Sequence, residues 1–148
     1  MIDVFSRMIV GWSASTNMRS SLTLEALEMA IWRRDRSLHG LVHHSDAGAQ
    51  YTAIRYTERL GEAGIAPSIG TVGDSYDNAL AESAIGLFKT ELVRRRGPWR
   101  THDQLEIAAL EWIDWFNHCR LHGELDHVPP VEFEAAYHDA LESVGTQP

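Results

Sequence analysis

The stretch Val42-His43-His44-Ser45-Asp46-Ala47-Gly48-Ala49-Gln50-Tyr51 constrains this chain more than any other. Leu41 to His44 is too short a run for a helix and reads as a buried strand. It breaks at Ser45-Asp46, and Gly48 permits a sharp exit. A strand set between helical patterns belongs in an α/β architecture. A second stretch, Asp77-Asn78-Ala79-Leu80-Ala81-Glu82-Ser83, falls in the first turns of an amphipathic helix. There are 35 residues between Asp46 and Glu82. Two carboxylates placed at a strand end and in an early helical turn can share hard divalent cations, and such ions drive phosphoryl transfer.

The 148 residues suggest one domain, and a 44% hydrophobic content is enough for a core. No apolar run reaches membrane-spanning length, and no secretory pattern follows Met1. A single cysteine, Cys119, rules out an internal disulfide framework and fits a reducing cytosol. The net charge of −8 argues against a general nucleic-acid binder. Yet Lys89, Arg94, Arg95, Arg96 and Arg100 fall within twelve residues, and Arg33, Arg34 and Arg36 form a second group. Two readings of Arg94 to Arg96 stay open: a helix C-terminus complementing its own dipole, or a phosphate-contacting face.

Along the chain, Ile2 to Phe5 and Met8 to Ser13 read as two short strands around a turn at Ser6-Arg7. Ser21 caps a helix to about Arg34, with Leu24, Leu27 and Ile31 on its apolar face. Thr52 to Ala63 is a second helix closed by Gly64. Ala66 to Ile69 is a strand whose Pro67 points to a sheet edge. A long helix over about Asp77 to Arg95 is stopped by Gly97-Pro98. Thr101 and Gln104 form a capping box for a helix burying Leu105, Ala109, Trp112, Ile113 and Phe116 and ending near His122-Gly123. Pro129-Pro130 opens a last helix with Phe133, Tyr137 and Leu141 inward.

For Asp46, a ligand-facing role in a sheet-edge crevice competes with a plain turn role before the next helix. On the helix after Asp77, one stripe holds Leu80, Ala84, Phe88 and Leu92, and another holds Asn78, Glu82, Gly86 and Lys89. Glycine is a costly choice on an exposed helix face, so the second stripe suits close approach of a phosphate backbone. An ordinary solvated face is the alternative. His118, Cys119 and His122 lack a second ligand pair with metal-like spacing, so a helix end is the favoured reading over zinc. Of His43 and His44, one must face away from the other across the strand. Trp99 sits in a Gly-Pro-Trp corner that suits packing more than base stacking.

These residues together resemble a known family. His44-Ser45-Asp46-x-Gly48-x-Gln50-Tyr51, Asp77-Asn78-Ala79-x-x-Glu82-Ser83 and Lys89-Thr90-Glu91 resemble the retroviral-integrase-like (DDE) transposases of bacterial insertion sequences. The likeness is narrower still to the second-frame product of the insertion-sequence-three group. Asp3-x-Phe5-Ser6-Arg7-x-Ile9-Val10-Gly11-Trp12 matches that family's strand hairpin. Asn117, Arg120, His122 and Pro130-x-Glu132-Phe133 match its C-terminal portion.

The resemblance implies a ribonuclease-H-like integrase catalytic core with C-terminal helices. It implies an Asp-Asp-Glu site for two Mg²⁺ or Mn²⁺ ions, with Asp46 as second member and Glu82 as third. The reaction is DNA transposition by phosphodiester hydrolysis and then strand transfer from the freed 3′-hydroxyl. Lys89 contacts the DNA end, Asn78 supports the site, and Arg94, Arg95 and Arg96 extend the DNA-binding set. Transposon ends, target DNA and further transposase copies are the implied partners, in a bacterial cytoplasmic setting. The family's first aspartate, in a Trp-x-x-Asp-x-Thr-Tyr strand upstream of the hairpin, has no counterpart here, and Asp3 does not replace it. The expected organisation is a partial core at 1–97 lacking its first strand, with a helical extension of the same domain at 98–148. The loss leaves two inner strand edges unpaired. The chain is then expected to be an inactive fragment, or a remnant that binds DNA or a full-length transposase and modulates it.

Overall fold

The computed structural model describes residues 1–15, 20–34, 38–45, 54–69 and 74–145. The two opening runs meet antiparallel at a single bridge, Ile2 to Ile9, rather than as extended strands. Asp3 N donates to Met8 O at 2.8 Å, and Val10 N to Met1 O at 3.0 Å. Asp3 builds the turn, because one of its carboxylate oxygens accepts from Phe5 N at 2.9 Å and Ser6 N at 2.8 Å. Gly11 lies so close to the next helix that a Cβ there would stand 2.0 Å from Ala26 O.

Helix α1 (Ser20–Arg34) buries Ala26 and Leu27. Strand β1 (Val42–Ser45) follows, then helix α2 (Ile54–Glu62) and strand β2 (Ala66–Ile69). The strands pair in parallel from Val42↔Ala66 to Ser45↔Ile69. Pro67, opposite His43, has no N–H to give to a further strand, which suits an edge. Among the described residues this is the whole sheet, and β1 has one strand neighbour there.

Helix α3 (Asp74–Phe88) runs into a π-helical turn over Lys89–Arg94, so the long expected helix changes its winding at Lys89. Trp99 turns back to donate to Val93 O at 3.3 Å and packs on the core, as its corner suggested. Helix α4 (His102–His118) starts at Thr101, whose side chain accepts from Gln104 N. Gln104 reaches back to Arg100 N, one residue earlier than a capping box requires. The helix stops at His118, ahead of the expected His122-Gly123, and a 3₁₀ turn occupies Gly123–Leu125. Helix α5 (Pro130–Gly145) stacks Phe133 against Phe5, with centroids 5.2 Å apart. Tyr137 and Leu141 are about half exposed (46% and 53%), so the inward face of α5 is narrower than its spacing implied.

Two cores result. Ile9, Leu92, Trp112, Ile113 and Phe116 join the opening turn, the π-turn and α4. Leu27, Tyr56, Leu60 and Ile65 join α1, α2 and the start of β2. Each fully buried side chain of this size contributes about 1.5–3 kcal/mol.

Candidate active site

The C-terminal end of β1 and helix α3 converge. Both β1 and the Ala81-Glu82-Ile85 segment of α3 line one groove of about 600 Å³, whose floor includes Leu27 and Ile65. Ser45, the last residue of β1, lines it together with Ile2, whose backbone is bridged to Ile9. Asp46 is the next residue in the chain and lies outside the described residues, as do Gly48, Gln50 and Tyr51. Asn78 is on α3, with its side chain also outside the described set.

Glu82 is exposed at the groove's rim. A carboxylate there is a hard oxygen donor of the kind Mg²⁺ or Mn²⁺ takes. Gly86 and Lys89 lie within about 40° of Glu82 around the helix, at 100° per residue. Both are exposed, and a Cβ on Gly86 would meet nothing within 4 Å. The protein's own packing therefore does not demand glycine at that position. Lys89, Arg94 and Arg95 form no ion pair among the described residues, while Arg96 lies 3.9 Å from Glu111.

The two β1 histidines divide as strand alternation requires. His43 Nε2 and the buried Tyr56 hydroxyl share a hydrogen bond of 2.9 Å. Burial, then the positive charges of the N-terminus and His44, hold the His43 pKa below 6.5. His44 is exposed. His118 bonds Asp114 O in its own helix, and His122 lies edge-on to Phe116 at 4.8 Å. Among the described residues, only His102, Asp103 and Glu106 bring three potential ligand atoms within 4.8 Å. They lie at the outer start of α4, on a different element from Glu82.

Three supporting contacts were not read from the sequence. Asn117 is fully buried and pairs with Ile9 like a strand: Nδ2 donates to Ile9 O and Ile9 N to Oδ1, both at 2.9 Å. Arg34 bridges Asp3 and Glu134, at 2.5 Å each, tying the opening turn to α1 and α5. Glu91 accepts from Trp112 Nε1 at 3.1 Å and from Arg120 at 2.7 Å. A polar residue on an otherwise apolar helical stripe, as Asn117 is beside Ile113 and Phe116, was the available signal.

Comparison with known proteins bears on the family and the fold. Integrase core domain models match residues 1–75 and 63–130. The IS986/IS6110 insertion-sequence protein of Mycobacterium tuberculosis is 51% identical over 140 residues, covering 92% of this chain and 50% of that protein. The transposase for insertion sequence element IS629 of Shigella sonnei is 48% identical over 141 residues, covering 95% and 47%. Transposase InsF for insertion sequence IS3A of Escherichia coli is 32% identical over 135 residues, covering 90% and 46%. The chain spans about half the length of these relatives. Among solved structures, the HTLV-2 integrase catalytic core domain in complex with magnesium aligns with a TM-score of 0.63 at 20% identity, over 89% of this chain and 80% of that one. That likeness identifies the ribonuclease-H-like integrase core fold. No helix among the described residues is long and apolar enough to cross a membrane. The chain belongs to the integrase core domain family and stands there with the transposases of bacterial insertion sequences.

Proposed function

We propose that this chain supplies two of three carboxylates of a metal-dependent DNA transposase site, Asp46 and Glu82. One observation carries the reading: the end of β1, one residue short of Asp46, and Glu82 line the same groove. Hard carboxylate donors at that place suit a divalent cation, Mg²⁺ or Mn²⁺, with two ions in the complete site. When bound, such ions stabilise charge on the attacking and leaving oxygens of an in-line phosphodiester displacement. The chain's own contribution is to orient its two carboxylates and to grip the DNA backbone through Lys89, Arg94, Arg95 and Arg96, with Asn78 supporting the site. An acidic chain needs such a local basic face to hold a polyanion. The partial core of 1–97 and the helices of 98–148 act as one unit, because Ile9, Leu92 and Trp112 share a core.

Residues 1–148 lack a counterpart of the family's first aspartate, so by themselves they bind DNA without joining it. That β1 has one strand neighbour among the described residues favours a second mode, in which the chain associates with a longer transposase and modulates it. The test is a strand-transfer assay with 1–148 in Mg²⁺ or Mn²⁺, beside a DNA retention assay across a salt series. Salt-dependent retention without joined product supports the proposal. Robust joining refutes the inactivity, and absent retention refutes the DNA reading.

A further inference from the structure

The π-turn at Lys89–Arg94 re-aims the basic residues beyond α3. At 100° per residue, Lys89 lies about 20° from Glu82 around the helix, roughly two turns further along. Had the α-helix continued, Val93 would have come next to that row, and Arg94 would have turned about 120° away from Glu82. An i→i+5 turn holds about 4.4 residues, so each residue advances only about 82°. That winding draws Val93 aside by about 50° and brings Arg94 to within about 30° of Glu82. Burial agrees: Leu92 is fully buried, Val93 is half-buried and Arg94 is exposed. Arg95 falls about 110° from Glu82 on the same count, and Arg96 faces Glu111.

Glu91 sits inside this turn and fixes it. Its carboxylate takes the indole N–H of Trp112 and the guanidinium of Arg120. Arg120 in turn lies over the rings of Trp115 and Phe116, at 5.5 Å and 5.7 Å. The turn is thereby fastened to the most buried face of α4. We propose that Glu91 is a positioning residue for polynucleotide binding: clamped by Trp112 and Arg120, it holds the π-turn that sets Arg94 in one row with Lys89 and Glu82. This rests on the DNA reading above, and it separates Arg94 from its two neighbours.

The test measures retention of a short DNA duplex of arbitrary sequence by the full chain against salt concentration. Each lost phosphate contact lowers the log–log salt slope by about 0.9. Lys89→Ala and Arg94→Ala are each expected to lose about one unit of slope, and Arg95→Ala less than half of that. Glu91→Gln is the decisive variant. Removing a carboxylate from an acidic chain tightens DNA binding by charge alone, whereas loss of positioning weakens it. The expectation is weaker retention, a slope lowered by about one, and little further effect in an Arg94→Ala background. Circular dichroism verifies that each variant is folded. If Glu91→Gln does not fold, Trp112→Phe removes one donor while keeping an aromatic ring, and the same loss of slope is expected. Tighter or unchanged retention in the folded clamp variant, or equal losses at Arg94 and Arg95, overturns the proposal. A parent chain with no salt-dependent retention overturns the DNA reading and this one with it.

Discussion

Replacing Asn117 with leucine should remove a large share of the fold's stability with little change in side-chain volume. Asn117 is fully buried and saturates both backbone groups of Ile9 at 2.9 Å. Leucine fills the space and leaves that N–H and C=O without partners. Each stranded buried group costs about 1–3 kcal/mol, so the pair costs about 2–6 kcal/mol. Total stabilities of domains this size run to about 5–15 kcal/mol. At about 2–4 °C per kcal/mol, a mid-range loss near 4 kcal/mol lowers Tm by roughly 8–16 °C. Asn117→Asp adds a pH signature. An ionised aspartate accepts from Ile9 N but cannot donate to Ile9 O, and its buried charge raises its own pKa. The unfolded chain then ionises first, so this aspartate variant is least stable at neutral pH and recovers as pH falls and the carboxyl regains a proton to donate. Urea unfolding followed by far-ultraviolet circular dichroism, at pH 7 and pH 5, reads both effects. A leucine variant within about 1 kcal/mol of the parent refutes the account of Asn117 as a strand surrogate, as does an aspartate variant with no acid recovery relative to it.

Three further outcomes follow from other contacts. Gly86→Ala should stabilise the chain by about 0.5–1 kcal/mol, because the site is an exposed helix interior with open space for a Cβ. The same change should weaken DNA retention if that face meets a phosphate backbone; a stabilised variant with unchanged retention refutes the close-approach reading. His43→Gln should flatten the acid limb of stability. Burial keeps the folded pKa below 6.5, so between that value and the folded pKa the unfolded chain binds the extra proton and stability falls as pH drops. Equal pH slopes for parent and variant between pH 7 and 5 count against this. Arg34→Met should cost about 2–3 kcal/mol in urea unfolding, a value discounted because its partners Asp3 and Glu134 are 19% and 16% exposed. A midpoint unchanged from the parent dismisses the three-way link.

The order of elements was legible because apolar spacing is local: α1, β1, α2 and β2 lie close to their expected bounds, and α4 starts where expected but stops about a turn early. The opening hairpin was legible only in part. Its turn is made by the Asp3 carboxylate, and its outer ladder is completed by Asn117, a partner 108 residues away that no local pattern can announce. The π-turn is not legible because hydrophobic periodicity near Leu92 fits an α-helix almost as well, and the contacts Glu91 makes from that turn reach Trp112 and Arg120, 21 and 29 residues further along. Tyr137 and Leu141 kept helical spacing yet stayed about half exposed, although Tyr137 sets its ring edge-on to Phe5 at 4.7 Å beside Phe133. Glu82 and Lys89 share the face that the 3.6 period assigns them.

The most direct measurement is a crystal structure of residues 1–148 grown in Mn²⁺, read for the separation of the carboxylates at positions 46 and 82. The account predicts oxygens of both groups within about 4.5 Å of one another, each at about 2.2 Å from a shared ion in the groove beside β1. Side chains on opposite faces of the molecule, more than about 10 Å apart, contradict it, since no single cation can then be held by both.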